Sequence, residues 1–124
     1  ADYDQDGLVD LLITGYGGLT LFRNSGDGTF ERVTMSAGLT DSQWSSSAAW
    51  GDISGDGLPD LYVAHYVDWS PSNHPACGGP SPTEPDVCPP RRFRGLTDSV
   101  YISRGDGTFI DASETHLLVE RNSI

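Results

Sequence analysis

Residues 2–12 read DYDQDGLVDLL, and residues 52–62 read DISGDGLPDLY. Laid over each other at an offset of 50, they share Asp2/Asp52, Asp6/Asp56, Gly7/Gly57, Leu8/Leu58, Asp10/Asp60 and Leu11/Leu61. A second matched pair follows: SGDGTF at 25–30 and RGDGTF at 104–109, at an offset of 79. Two copies of one unit, with their parts in the same order, are the signature of a repeat architecture. The second copy carries 29 extra residues between its parts, at about 67–95, and both cysteines lie there. The chain divides into a first repeat at 1–47 and a second at 48–124.

Each unit reads as short strands. The apolar runs at 11–14 and 61–64 follow a Gly/Asp turn and suit buried strands. Residues 19–23 and 99–103 alternate and then meet GDG, a strong hairpin signal. Residues 30–34 and 109–112 suit the returning strands, and 48–51 suit a strand ahead of the second acidic loop. Residues 36–39 and 114–118 suit single helical turns or loops, and no long helix is expected. The fold class expected is all-β: about four antiparallel strands per repeat, which is one propeller blade.

Composition sets bounds on function. Hydrophobic residues make up 36% of the chain, beside 15 Gly and 8 Pro, which suits many turns and short strands. The net charge of −11 repels nucleic acid and anionic membranes and favours a cation partner. No run approaches the roughly 20 apolar residues that span a bilayer, so membrane insertion is not expected. The chain starts at Ala1 with no charged-then-apolar leader, so a signal peptide is expected to be absent or already removed. Cys77 and Cys88 sit in a Pro- and Gly-rich stretch. A disulfide is the first reading, implying an oxidising compartment; two free thiols are the alternative, and metal ligation lacks CxxC spacing.

Asp2, Asp4, Asp6 and Asp10 occupy alternating positions of a nine-residue loop, and Asp52, Ser54, Asp56 and Asp60 occupy the same positions in the second copy. Calcium takes six to eight oxygens, and alternating acids in a curled loop supply them. The backbone carbonyls of Leu8 and Leu58 suit the gap between acids. Gly7 and Gly57 follow the third acid, where a tight loop needs positive φ. Two carboxylates about 4 Å apart repel by about 4 kcal/mol at an effective dielectric near 20, and a divalent ion reverses that repulsion. Two calcium sites are expected, with the ion acting as a folding ligand. The competing reading makes these acids ordinary turn residues; their recurrence at matched positions favours the ion. An EF-hand would need Glu at position 12 of the loop, where Ile13 and Val63 stand.

These loops, with the GDGTF turns, resemble the FG-GAP/VCBS repeat family. The stretch AAWGDISGDGLPDLYVAHYVDW, the insertion ending CPPRRFRG and the YISRGDGTF after it are most similar to the ASPIC/UnbV-associated group, which includes cartilage acidic proteins. The resemblance implies two four-stranded blades of a seven- or eight-bladed β-propeller, like integrin α heads. It implies calcium ligands at Asp2, Asp4, Asp6, Leu8 and Asp10, and at Asp52, Ser54, Asp56, Leu58 and Asp60. Ser54 departs from the usual Asp or Asn, so the second site is expected to bind less tightly. Two blades do not close a ring, so the chain is expected to be an excerpt that leans on neighbouring blades.

The remaining candidates carry less. Arg104-Gly105-Asp106 spells an adhesion tripeptide, but Gly-Asp is explained by the hairpin turn. His65, His74 and His116 are scattered and read as structural or solvated. Ser45, Ser46 and Ser47 read as a loop. Among Trp44, Trp50 and Trp69, Trp50 suits the core, and Trp69 suits an exposed contact. A Cys77–Cys88 bridge would close a loop of about 12 residues, worth ~3 kcal/mol of chain entropy. Arg91, Arg92 and Arg94 form a basic cluster that suits carboxylates of the next blade or a partner's acidic patch. No catalytic group stands out. The expected role is a secreted, periplasmic or cell-surface binding scaffold whose partners are neighbouring blades and an extracellular protein or glycan. A propeller of a carbohydrate-active lyase or dehydratase is the alternative.

Overall fold

The computed structural model describes residues 1–78 and 87–116. Seven short strands form two antiparallel sheets. β1 (Leu11–Gly15), β2 (Gly18–Asn24) and β3 (Phe30–Arg32) make the first, in the order β1-β2-β3. β4 (Ser45–Gly51), β5 (Asp60–His65), β6 (Ser99–Ser103) and β7 (Phe109–Asp111) make the second, in the order β4-β5-β6-β7. Within each sheet every strand pairs with its neighbour in sequence, the up-and-down meander of a propeller blade. One helical turn, α1 (Ser113–His116), follows. It overlaps the turn expected at 114–118, of which Leu117 and Leu118 lie outside the described residues, as does the side chain of His116.

The first sheet has three strands where four were expected; at the offset of 50, Ala1 corresponds to Gly51, the last residue of β4. A second difference concerns Ser45–Ser47, which open β4 instead of forming a loop. Ser45 pairs with His65 and Ser47 with Ala64, with an irregularity between them. Local acceptors take the hydroxyls: Ser45 Oγ donates to Asp41 Oδ2 at 2.9 Å and Ser46 Oγ to the Ala64 carbonyl at 3.1 Å. Strand pairing thereby overrides serine's preference for turns.

One core serves both repeats. Leu19 and Leu21 of β2, Leu61 and Val63 of β5, Tyr101 of β6 and Phe109 of β7 are buried together with Ala37 and Leu39 of the connection. Each such aliphatic side chain contributes about 1.5–3 kcal/mol when fully buried. Phe109, from the second GDGTF, contacts the first repeat directly. Its N–H donates to the Ala37 carbonyl at 2.8 Å, and its ring packs 6.0 Å from Tyr3 and 5.9 Å from Trp50. Trp50 is accordingly half-buried against the core.

A polar cluster fastens the other end of β5. His65 Nε2 lies 2.7 Å from Asp41 Oδ2, and its Nδ1 lies 2.6 Å from the Thr97 carbonyl. Both ring nitrogens thus face oxygen atoms, one a carboxylate and one a backbone carbonyl. The His65 N–H and the Tyr62 hydroxyl both donate to Asp98. This cluster joins the inter-repeat connection, β5 and the segment leading into β6.

The buried phenols predict an alkaline limit to stability. Burial, with the Asp41 and Asp111 carboxylates behind it, pushes Tyr101 up to about 12, and its hydrogen bond to Asp98 raises Tyr62. A proton held more tightly in the folded state stabilises below the unfolded value near 10 and is lost as pH rises from there towards 12. Urea melts should show a loss of about 3 kcal/mol assignable to Tyr101 across that window. The variant Tyr101→Phe should show a shallower loss; identical slopes would contradict this account.

Candidate metal centre

Each acidic loop ends where a strand begins, and its last acid is structural. Asp60 is fully buried. Its Oδ2 accepts the N–H groups of Ile53 (2.9 Å) and Ser54 (2.8 Å), and its Oδ1 accepts that of Ser103 (2.8 Å). Asp10 repeats the device: Oδ2 accepts from Tyr3 at 3.0 Å and Oδ1 from Asn24 at 2.8 Å. The donors obey both offsets, 50 for Tyr3/Ile53 and 79 for Asn24/Ser103. One carboxylate therefore staples the loop to the hairpin strand beside it. Burial by itself pushes Asp60 up, but the N–H groups of Ser103, Ser54 and Ile53 outweigh it and hold the carboxyl below the usual carboxylate range.

The first acid folds the loop over itself. Asp2 accepts N–H groups from Asp6 (3.1 Å) and Gly7 (2.9 Å), and Asp52 accepts from Gly55, Asp56 and Gly57 at 2.7–3.0 Å. Asp6 and Asp56 each accept from the leucine two residues on, at 2.9 Å. Gly7 and Gly57 hold φ of 88° and 86°, the left-handed turn expected of them. The leucine side chains dock on the hairpin turns: a Cβ on Gly26 would lie 3.1 Å from Leu8, and one on Gly105 would lie 3.1 Å from Leu58.

In the first loop, Asp2, Asp4 and Asp10 each place one carboxylate oxygen within 4.8 Å of the other two. Oxygens on one calcium ion, each about 2.3–2.6 Å from it, lie no more than about 5 Å apart. The group therefore fits an all-oxygen coordination shell. Asp6 faces elsewhere: Arg23 Nη2 lies 2.9 Å from Asp6 Oδ2, and Arg23 Nε lies 2.7 Å from Asp4 Oδ2. The guanidinium offsets part of the loop's negative charge. At the matching position the second repeat has Ile102, so nothing there plays that part. Among the described residues, the acids of the second loop form no group converging as those three do. Ser54 faces Asp60 with both its amide and its hydroxyl.

Sequence reasoning assigned Asp10 and Asp60 to an ion and missed their staple role. The available signal was the repetition of a small polar or amide-bearing partner, Asn24 or Ser103, at the strand end. It also missed Arg23, which has no counterpart in the other copy.

The far end of the sheets is aromatic. Trp44 packs 5.1 Å from Tyr66 and 5.7 Å from Trp69, and Tyr16 braces both tryptophans at 5.5 and 5.4 Å. Trp69 is half-buried rather than free-standing. The insertion leaves and returns at one point, where Val67 and Gly95 form an isolated antiparallel bridge. Cys77 and Cys88 are joined in a disulfide, with Cα atoms 5.3 Å apart. Arg91 and Arg92 lie on a short 3-10 turn, Pro90–Arg92. The Arg104–Asp106 segment is an exposed turn in which Asp106 accepts the Thr108 hydroxyl at 2.6 Å, a local role.

A family model described as an FG-GAP-like repeat matches residues 2–63. No curated protein and no solved structure matches the chain.

Proposed function

Because the chain belongs to the FG-GAP-like repeat family, we propose that its acidic loops bind calcium and that the ion stiffens two propeller blades serving as a binding scaffold. The observation that carries this reading is the meeting of Asp2, Asp4 and Asp10 oxygens within 4.8 Å. Asp6, with the Leu8 carbonyl, completes the first set once Arg23 gives way. Asp52, Ser54, Asp56, Leu58 and Asp60 supply the second set, with a hydroxyl in place of one carboxylate. Bound calcium supplies a fixed divalent charge. The residues' own part is to hold oxygens around it while Asp10 and Asp60 keep each loop tied to its hairpin.

The same reading makes the chain part of a secreted, periplasmic or cell-surface protein of the ASPIC/UnbV-associated kind. The disulfide supports an oxidising compartment. Among the described residues, no helix is long and apolar enough to cross a membrane. Half-exposed Leu11 and Ile13 on β1 suit a neighbouring blade that covers them. A protein or glycan outside the cell is the partner such a scaffold would present its loops to.

Calorimetry at low ionic strength should show calcium binding, and a chelator should lower the melting temperature. The variant Asp4→Ala should remove the first site and Asp56→Ala weaken the second. Arg23→Gln should tighten the first site several-fold by removing a competing cation. Unchanged melting with calcium and with chelator would overturn the proposal.

A further inference from the structure

We propose that the cavity at the aromatic end of the sheets binds a small aromatic anion: a flat ring that stacks among indole and phenyl groups and carries a carboxylate or sulfonate to the arginines of the insertion. The site is remote from the acidic loops. β5 starts at Asp60, beside the loop, and ends at His65, beside Tyr66. A strand of that length spans about 17–20 Å.

The cavity has a volume of about 380 Å³, within the range of small-molecule sites. Trp44, Tyr66, Trp69 and Phe93 supply its walls. Its polar equipment is sparse. Trp69 Nε1–H donates to His74 Nδ1 at 2.8 Å, so the His74 ring proton sits on Nε2 and offers one donor. A sugar, with a hydroxyl on nearly every carbon, would lose hydrogen bonds to water there without replacing them. A flat hydrocarbon ring loses none and gains stacking contacts.

The charge of the ligand follows from the neighbouring cavity. That cavity shares Val87 with the first, and the disulfide stands between them, with Cys88 lining one and Cys77 the other. Arg91 and Arg92 line the second cavity. Arg91, Arg92 and Arg94 are exposed and have no ion-pair partner among the described residues. Three of the chain's seven cationic side chains thus lie within four residues of one another, in a chain of net charge −11. Guanidinium groups bind carboxylates in a bidentate fork, so the anionic end of the ligand belongs there.

The test uses 2-naphthoate and its neutral analogue 2-naphthalenemethanol, titrated into the whole chain by calorimetry and tryptophan fluorescence at low salt. Naphthoate should bind saturably, one per chain, at least tenfold more tightly than the alcohol, and should weaken with added salt. The double variant R91Q/R92Q should abolish that preference and leave binding of the alcohol unchanged. Both substitutions are at exposed positions, so circular dichroism should show an unaltered fold. Phe93→Ala should weaken both ligands. Chelator should leave naphthoate binding unchanged, so failure of the calcium reading and failure of this one are separable. Absence of saturable naphthoate binding, equal affinity for the alcohol, or preference for glucuronate would each overturn the proposal.

Discussion

Replacing Asp60 by alanine should destabilise the chain by at least about 3 kcal/mol, even with calcium chelated. The carboxylate is buried and accepts N–H groups from Ile53, Ser54 and Ser103. Its removal takes the acceptor from the Ser54 and Ser103 N–H groups, while the Ile53 N–H keeps the Gly51 carbonyl at 3.1 Å; each buried unsatisfied donor costs about 1–3 kcal/mol. Asp10→Ala should cost less, about 2 kcal/mol, because Asp10 holds two donors and is slightly more exposed. Urea unfolding in chelator isolates the staple from any ion. A variant Asp60→Ala that matches the wild type there would show that the carboxylate matters only through metal.

Gly18→Ala should cost about 3 kcal/mol or more, against about 1–2 kcal/mol for Gly17→Ala next to it. Both glycines have positive φ, 90° at Gly17 and 118° at Gly18, so both substitutions carry backbone strain. The difference lies in space. A Cβ on Gly17 meets nothing within 4 Å, whereas one on Gly18 would lie 2.2 Å from the Asp41 carbonyl oxygen and 3.2 Å from Ser42 Cα. Those atoms are backbone and do not rotate away. Displacing Asp41 also disturbs its contacts with His65 and Ser45. Equal destabilisation by the two alanines in urea melts would refute the close approach of the β1–β2 hairpin to the connection.

The strands were legible because each repeat announces itself twice. GDG turns flanked by alternating residues placed β2, β3, β6 and β7, and the run after each acidic loop placed β1 and β5. The start of β4 was not legible: Ser45, Ser46 and Ser47 look like a loop until Ala64 and His65 stand opposite them. The acidic loops were legible as a repeated composition of oxygen donors. Which acid faces the interior was not. Alternation along a loop does not distinguish Asp10, aimed at two N–H groups, from Asp6, aimed at Arg23. Those directions depend on β2, whose Asn24 and Arg23 lie 14 and 17 residues away in the chain.

Local chemistry along the chain was enough to establish an all-β chain of short hairpin strands and the positive-φ glycines at 7 and 57, because turns and alternation are short-range properties of the backbone. Long-range contact alone decided the rest. Phe109 closes onto Ala37 and Tyr3, His65 meets Asp41 and Thr97, and aromatic rings from three separate segments gather at one end of the sheets. Such meetings depend on how two sheets pack against a shared connection, and the repeat pattern contains no term for that.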